Sequence, residues 1–230
     1  MPLRIGGLTP LSATDYPGEL AAVVYCHGCP WRCRYCHNSH LQAGTAESGI
    51  AWSEVLGFLR RRRGLLDAVV FSGGEPTAQP GLARAMRAAK DLGYRIGLHS
   101  AGIYPRRFAQ LLPLVDWVGF DAKAPFDAAY ERITGVRSSG KAALASAVAL
   151  LASGIDCEFR TTWHAGILSP AELERLTRTL ADLGVRRYAL QEFRASGGVG
   201  FCPEGVSVAA DLDALARRFP FFCVRGAIQP

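Results

Sequence analysis

No apolar run in this chain reaches the roughly 18 residues that a membrane-spanning helix needs, and Met1-Pro2-Leu3-Arg4 opens a mixed segment where an export leader would be apolar. The expectation is a soluble, cytoplasmic protein with no membrane partner. Low-complexity tracts and long linkers are missing as well. Lysine is scarce, since only Lys90, Lys123 and Lys141 among 26 basic residues are lysines. The net charge is +6, yet the basic stripe with interleaved aromatics of a nucleic-acid surface is absent. The one basic run, Arg60-Arg61-Arg62-Arg63, ends a helix-like segment, where positive charge complements the helix dipole. Docking of an acidic protein is its second reading. Nor is there a disulfide framework. The seven cysteines stand at 26, 29, 33, 36, 157, 202 and 223, four of them crowded into eleven residues. A secreted scaffold would spread them through a much smaller chain.

What is present is a large apolar fraction, 49% of 230 residues, enough for a sizeable core. The length suits a single domain over residues 1–230, with a core from about 20 to 194 and a less regular tail over 195–230. Strand-like and helix-like segments alternate. Strands are expected at Ala21–Tyr25, Ala68–Ser72, Arg95–His99, Trp117–Asp121, Asp156–Thr162 and Arg187–Glu192. Between them lie helical patterns at Ser53–Arg62, where Ser53 reads as a cap, at Leu82–Leu92, Arg106–Leu112 and Lys141–Ser153, and after the capping box Ser169-Pro170-Ala171-Glu172. Gly93, Gly154 and Gly184 each stand where a helix stops shortly before a strand. The tail adds a helix near Ala209–Phe219 and a strand near Phe221–Arg225. Such alternation implies parallel strands covered by helices, an α/β fold that is either an open doubly wound sheet or a curved partial barrel.

Polar and reactive residues follow the C-terminal end of each strand in turn. They are Cys26–Cys36, Ser72-Gly73-Gly74-Glu75-Pro76, His99-Ser100-Ala101-Gly102, Asp121-Ala122-Lys123, Arg160-Thr161-Thr162 and Gln191-Glu192. Parallel β/α folds place their active sites at that rim. The run Cys26-His27-Gly28-Cys29-Pro30-Trp31-Arg32-Cys33-Arg34-Tyr35-Cys36 admits three readings. Structural zinc would use paired cysteines, usually with a longer gap between pairs, making the chain a zinc-stabilised binding module. A dithiol redox site at Cys33 and Cys36 would leave Cys29 without a task. An iron–sulfur site explains three thiolates on a short loop. Cys26, Cys157, Cys202 and Cys223 read as small packing residues, with alternate ligation as a second reading for Cys26, and Ser196–Gly200 as a glycine-rich turn or a loop that contacts a partner.

Cys29-x3-Cys33-x2-Cys36, with Tyr35 before the last cysteine, resembles the radical S-adenosylmethionine superfamily. The stretch Gly28–Asn38 is more narrowly similar to glycyl-radical-enzyme activating proteins. Gly7-Leu8-Thr9-Pro10-Leu11 and Asp15-Tyr16-Pro17-Gly18 resemble the branch that activates anaerobic ribonucleoside-triphosphate reductase. The resemblance runs from about Gly7 to Arg194. It implies a partial (β/α)6 barrel of parallel strands with outer helices. It also implies a [4Fe–4S] cluster on Cys29, Cys33 and Cys36, whose open iron chelates S-adenosylmethionine. Tyr35 would lie by the adenine, and Gly73, Gly74 and Glu75 would receive the methionine amino group. Asp121 and Lys123 would take the ribose and carboxylate side, with Ser100 and Arg160 as further contacts. No side chain need act as acid or base. The implied reaction is reductive cleavage to a 5′-deoxyadenosyl radical that abstracts hydrogen from a glycine of a partner reductase, the electron coming from a flavodoxin- or ferredoxin-like carrier. Activation of another glycyl radical enzyme, or radical chemistry on a small molecule, is the alternative. His27 departs from the family, which has Gln there, and Gln191 stands near a histidine of a related branch.

Overall fold

The computed structural model describes residues 3–43, 49–193 and 211–226. Its frame is one eight-stranded sheet whose strands follow one another in chain order. They are β1 (Ile5–Ser12), β2 (Ala21–Cys26), β3 (Ala68–Gly73), β4 (Arg95–Ser100), β5 (Trp117–Asp121), β6 (Asp156–Trp163), β7 (Arg187–Glu192) and β8 (Phe221–Arg225). From β2 to β8 every pairing is parallel, so these strand ends share one rim. The helices are α1 (Trp52–Arg61), α2 (Leu82–Lys90), α3 (Pro105–Leu111), α4 (Ala128–Thr134), α5 (Ser139–Ser153), α6 (Pro170–Asp182) and α7 (Leu212–Arg218). They cover the outward face. β1 and β8 are the two ends of the strand order, which is the partial barrel expected from the resemblance.

The six expected core strands are all present, several longer by one residue at the rim. β8 continues the parallel series beyond six. β1 was not among the expected strands; it contains Gly6, Gly7 and Pro10, which are poor strand formers. Each has a place at a sheet edge. A Cβ on Gly6 would stand 2.3 Å from the Leu41 side chain, and Pro10 donates nothing on an edge that needs no donor. β1 pairs antiparallel with β2. Also unforeseen is α4, capped by the Asp127 carboxylate on Ala129 N and ended by Gly135 at φ +70°. Ser53 is not a cap, since α1 starts one residue earlier with Ala51 at its N-cap. The box at the start of α6 is formed, with Ser169 Oγ accepting from Glu172 N and Glu172 Oε2 from Ser169 N.

Alternation along the strands sorts side chains into two environments. Outward residues such as Val24, Phe71, Leu98, Phe120 and Phe159 are fully buried beneath the helices. The inward face starts apolar at the far end from the rim, where Ala21, Val23, Ala68, Val70 and Trp117 close around Tyr16. Toward the rim it turns polar, through Tyr25, Ser72, His99, Asp121, Arg160, Thr162 and Gln191. Cys157 is half-buried and Cys223 is exposed. Cys223 therefore corrects the packing expectation: it lies on the last strand, whose outer edge no described strand covers. Cys202 and Ser196–Gly200 lie outside the described residues.

Candidate active site

The cysteine loop leaves β2 and is fixed on both flanks by backbone hydrogen bonds. His27 N donates to Arg4 O (2.9 Å), Gly28 N to Leu41 O (2.7 Å) and Cys29 N to Gln42 O (3.3 Å). On the other flank Arg32 N donates to Thr134 O and Arg34 N to Ile133 O, tying the loop to the last turn of α4. The Trp31 ring meets Tyr130 edge-on at 5.6 Å. Gly28, at φ +100°, makes the turn that brings Cys29 round. Cys29, Cys33 and Cys36 are half-buried and line one cavity of about 380 Å³. Cys26 is wholly buried, is packed into the outer core and does not line it.

The donor set fits an iron–sulfur cluster. Three thiols, soft ligands, stand on one loop at the cavity wall. Among the described residues, no three His, Cys, Asp or Glu side chains are grouped to hold a metal ion. Burial pushes the Cys29 thiol up to about 12, with Glu75 adding to the rise. Burial also raises Cys33, against the pull of Lys123. Burial therefore disfavours bare thiolates at Cys29 and Cys33, and a bound metal cluster would favour them.

The next segment is built around the same loop. Gly74 N donates to Cys26 O (2.8 Å) and Glu75 N to Gly28 O (3.0 Å). A Cβ on Gly73 would fall 2.7 Å from Cys26 N, and one on Gly74 would fall 2.6 Å from Gly28 O. The two glycines are therefore required first for docking against the cysteine loop, and only the surface left over faces the cavity. Glu75 is 1% exposed. Its Oε1 accepts from Thr77 N (3.0 Å), Thr77 Oγ1 (2.6 Å) and Ser100 Oγ (2.8 Å), and its Oε2 accepts from Ala101 N (3.2 Å). Burial nonetheless raises its pKa above the usual carboxylate value.

Across the cavity, β5 and β6 supply a charged wall. Arg160 is 8% exposed. Its Nε donates to Asp121 Oδ1 (3.1 Å) and its Nη2 to Gly119 O (3.2 Å). Gly119 makes the space, since a Cβ there would stand 2.7 Å from the guanidinium carbon. Burial alone would raise the Asp121 carboxyl, but Arg160 and then Lys123 hold it below its ordinary value. Lys123 Nζ lies 3.8 Å from Asp121 Oδ2 and 5.9 Å from the centre of the Tyr35 ring. Burial works against its charge, yet Cys33 and Asp121 keep its pKa well above normal.

All eleven residues singled out in the sequence, Cys29, Cys33, Tyr35, Cys36, Gly73, Gly74, Glu75, Ser100, Asp121, Lys123 and Arg160, line this one cavity, as does Gln191. Sequence reasoning missed Tyr25 and Ile103, which line it too, and gave no role to Asp15, Trp31 and Thr162, which it quoted only within motifs. It also missed Gln79. Buried just beyond Glu75, that side chain donates to Arg4 O (3.0 Å) and His27 O (2.7 Å) and accepts from Arg4 N (3.2 Å). It staples β1 to the cysteine loop. The inward parity of Tyr25 and Thr162 was available from strand alternation. Nothing local marks Gln79, whose partners are 52 and 75 residues away in sequence.

Comparison with known proteins agrees with this geometry. The family profile of the Radical SAM superfamily matches residues 23–166. A protein of Methanocaldococcus jannaschii named as a glycyl-radical enzyme activating enzyme is 29% identical over 203 residues, covering 84% of this chain and 81% of its own. The pyruvate formate-lyase-activating enzyme of Clostridium pasteurianum is 31% identical over 142 residues, 60% of this chain and 59% of its own. Among solved structures, Streptococcus suis SuiB bound to S-adenosylmethionine superposes with a TM-score of 0.68 at 15% identity, covering 89% of this chain and 50% of that one. The chain thus spans about half the length of the SuiB structures that it matches.

Proposed function

The chain belongs to the radical SAM superfamily, an enzyme family that works with a [4Fe–4S] cluster and S-adenosylmethionine, and on that premise we propose that it activates a glycyl radical enzyme. One observation carries the reading: five separate segments bring the three thiols, the Gly-Gly-Glu turn, Ser100, the Asp121–Lys123 pair and Arg160 to one cavity. The two activating-enzyme relatives support the substrate class. The resemblance of Gly7–Leu11 and Asp15–Gly18 supports an anaerobic ribonucleoside-triphosphate reductase as the partner, with a small flavodoxin- or ferredoxin-like carrier as electron donor in a reducing cytoplasm.

In this proposal Cys29, Cys33 and Cys36 hold the cluster, and Lys123 offsets part of the thiolate charge beside it. When bound, the cluster and S-adenosylmethionine supply one-electron cleavage of a carbon–sulfur bond and a 5′-deoxyadenosyl radical that takes a hydrogen atom from glycine. The protein's residues bind and orient. Tyr35 lies along the adenine. Gly73, Gly74 and Glu75 receive the methionine amino group, and the unfavourable burial of Glu75 is relieved when a cation arrives. Asp121 and Lys123 bind the ribose and carboxylate, and Ser100 and Arg160 hold Glu75 and Asp121 in place. Trp31, Tyr35 and Ile103 keep water from that wall.

The test is anaerobic incubation of iron- and sulfide-loaded protein with S-adenosylmethionine, a reductant and the organism's anaerobic ribonucleotide reductase. Formation of 5′-deoxyadenosine together with a glycyl radical signal on the reductase is expected. Cleavage without that signal would redirect the search. Relatives named PqqA peptide cyclase, one of them 32% identical over 70% of this chain, make a peptide the next substrate to try, before small molecules.

A further inference from the structure

One buried titratable side chain has no task in the proposed reaction. His99 lies on the inward face of β4, with its ring edge-on to Trp117 at 5.5 Å. Its Nδ1 is 3.3 Å from Ser72 Oγ. Its Nε2 is 2.8 Å from the carbonyl oxygen of Asp15 and 3.3 Å from Arg160 Nη1. A single ring nitrogen cannot donate to a carbonyl and accept from a guanidinium at once. The shorter contact is to an oxygen that can only accept, so the hydrogen sits on Nε2. Nδ1 then accepts from the Ser72 hydroxyl. The Asp15 and Asp121 carboxylates face this ring and favour a proton on it, but burial and Arg160 oppose one, and the ring stays neutral. A second proton would set two cations 3.3 Å apart.

The carbonyl that His99 holds belongs to the Asp15-Tyr16-Pro17-Gly18 turn between β1 and β2. That turn is tied to the barrel interior a second time, by the Tyr16 ring against Trp117 at 5.3 Å. Ser12 Oγ braces it from behind, accepting from Thr14 N and Asp15 N. The turn closes the interior from the end opposite the rim, and the same imidazole lies against the guanidinium that clasps Asp121. We infer that His99 is a positioning residue: as the neutral Nε2–H form it locks the Asp15–Gly18 turn, whose Asp15 lines the cavity, into the barrel floor, and it bears on the Arg160 guanidinium by ring contact alone, with no hydrogen bond between them. The inference rests on the proposed part of Asp121 and Arg160 in holding S-adenosylmethionine.

Wild type, His99→Gln and His99→Phe would be compared at equal iron and sulfide content. Glutamine keeps a donor and an acceptor, and phenylalanine keeps only volume. Hydrogen exchange of the turn amides on unloaded protein should speed by about tenfold in His99→Phe, the loss of one buried hydrogen bond. S-adenosylmethionine affinity measured by equilibrium dialysis should fall by a similar, roughly tenfold, factor. His99→Gln should recover most of both. Imidazole nitrogen resonances of the wild type should show the Nε2–H form, with no titration from about pH 8 to 5.5. Wild-type exchange and affinity in His99→Phe, a Gln variant as impaired as the Phe one, or an Nδ1–H resonance pattern would each overturn the inference. The wild-type resonances decide even where His99→Phe fails to fold. If wild type itself binds no S-adenosylmethionine, the functional reading fails, while exchange and tautomer still judge His99.

Discussion

Neighbouring residues on β4 and β5 meet opposite surroundings. Ile96, Leu98, Val118 and Phe120 point outward and are fully buried among apolar side chains. Gly97, His99, Gly119 and Asp121 alternate with them and point inward, where two glycines leave room. Val70 and Tyr16 fill the space at Gly97, and the Arg160 guanidinium fills it at Gly119. The outer face maximises buried apolar area, the main stabilising term for a domain. The inner face gives up side-chain volume and buries charge, which is costly unless each charge is paired. Stability is concentrated on one face and chemistry on the other, one residue apart along the same strands.

Substitutions at adjacent positions test that division. Phe120→Ala removes a ring that packs between Phe108 at 5.9 Å and Phe159 at 4.9 Å. It should cost about 3–5 kcal/mol in denaturant melts while leaving the cavity chemistry of surviving folded protein intact. Gly119→Ala should show the reverse balance. Overpacking against Arg160 should cost about 1–3 kcal/mol, but S-adenosylmethionine affinity measured by dialysis should fall sharply. Equal losses of binding in the two variants would erase the distinction between faces.

Smaller effects sharpen it. Burial, with Arg160 helping, lowers the His99 pKa from 6.5 to about 3 in the folded protein. Between those values the unfolded chain binds a proton that the native chain does not, so this residue's stabilisation is complete above about pH 6.5 and is lost as pH falls toward about 3. In melts across that range His99→Gln should lose stability less steeply on acidification than wild type, and parallel curves would contradict the buried neutral imidazole. Arg61→Ala, on the exposed end of α1, should stay within about 0.5 kcal/mol of wild type by the same melts. It should leave S-adenosylmethionine cleavage unchanged.

The outer face was legible in sequence because period-2 strands and amphipathic helices leave a direct hydrophobic trace. Trp117–Asp121 and Arg187–Glu192 could be bounded to the residue. β1 was hidden by glycines and a proline whose reasons lie in Leu41 and the sheet edge, neither of them local. The rim motifs were legible as chemistry, because cysteines at short spacing and polar residues closing apolar strands are rare by chance. Gln79 and Gly119 were not, and His99 was legible only as part of the His99–Gly102 rim segment, without a role. Each serves a partner distant in sequence, and a lone Gln, Gly or His carries no spacing that marks it. Gly73 and Gly74 were given, by resemblance, only the task of receiving the methionine amino group; that a Cβ on either would meet the backbone of Cys26 or Gly28 was not legible.

The most direct measurement of the central claim is iron and acid-labile sulfide per chain, after anaerobic reconstitution, in wild type, Cys33→Ala and Cys26→Ala. The account predicts about four of each in wild type and in Cys26→Ala, and a collapse of both in Cys33→Ala. Equal contents in the two variants, or zinc without sulfide in wild type, would contradict it.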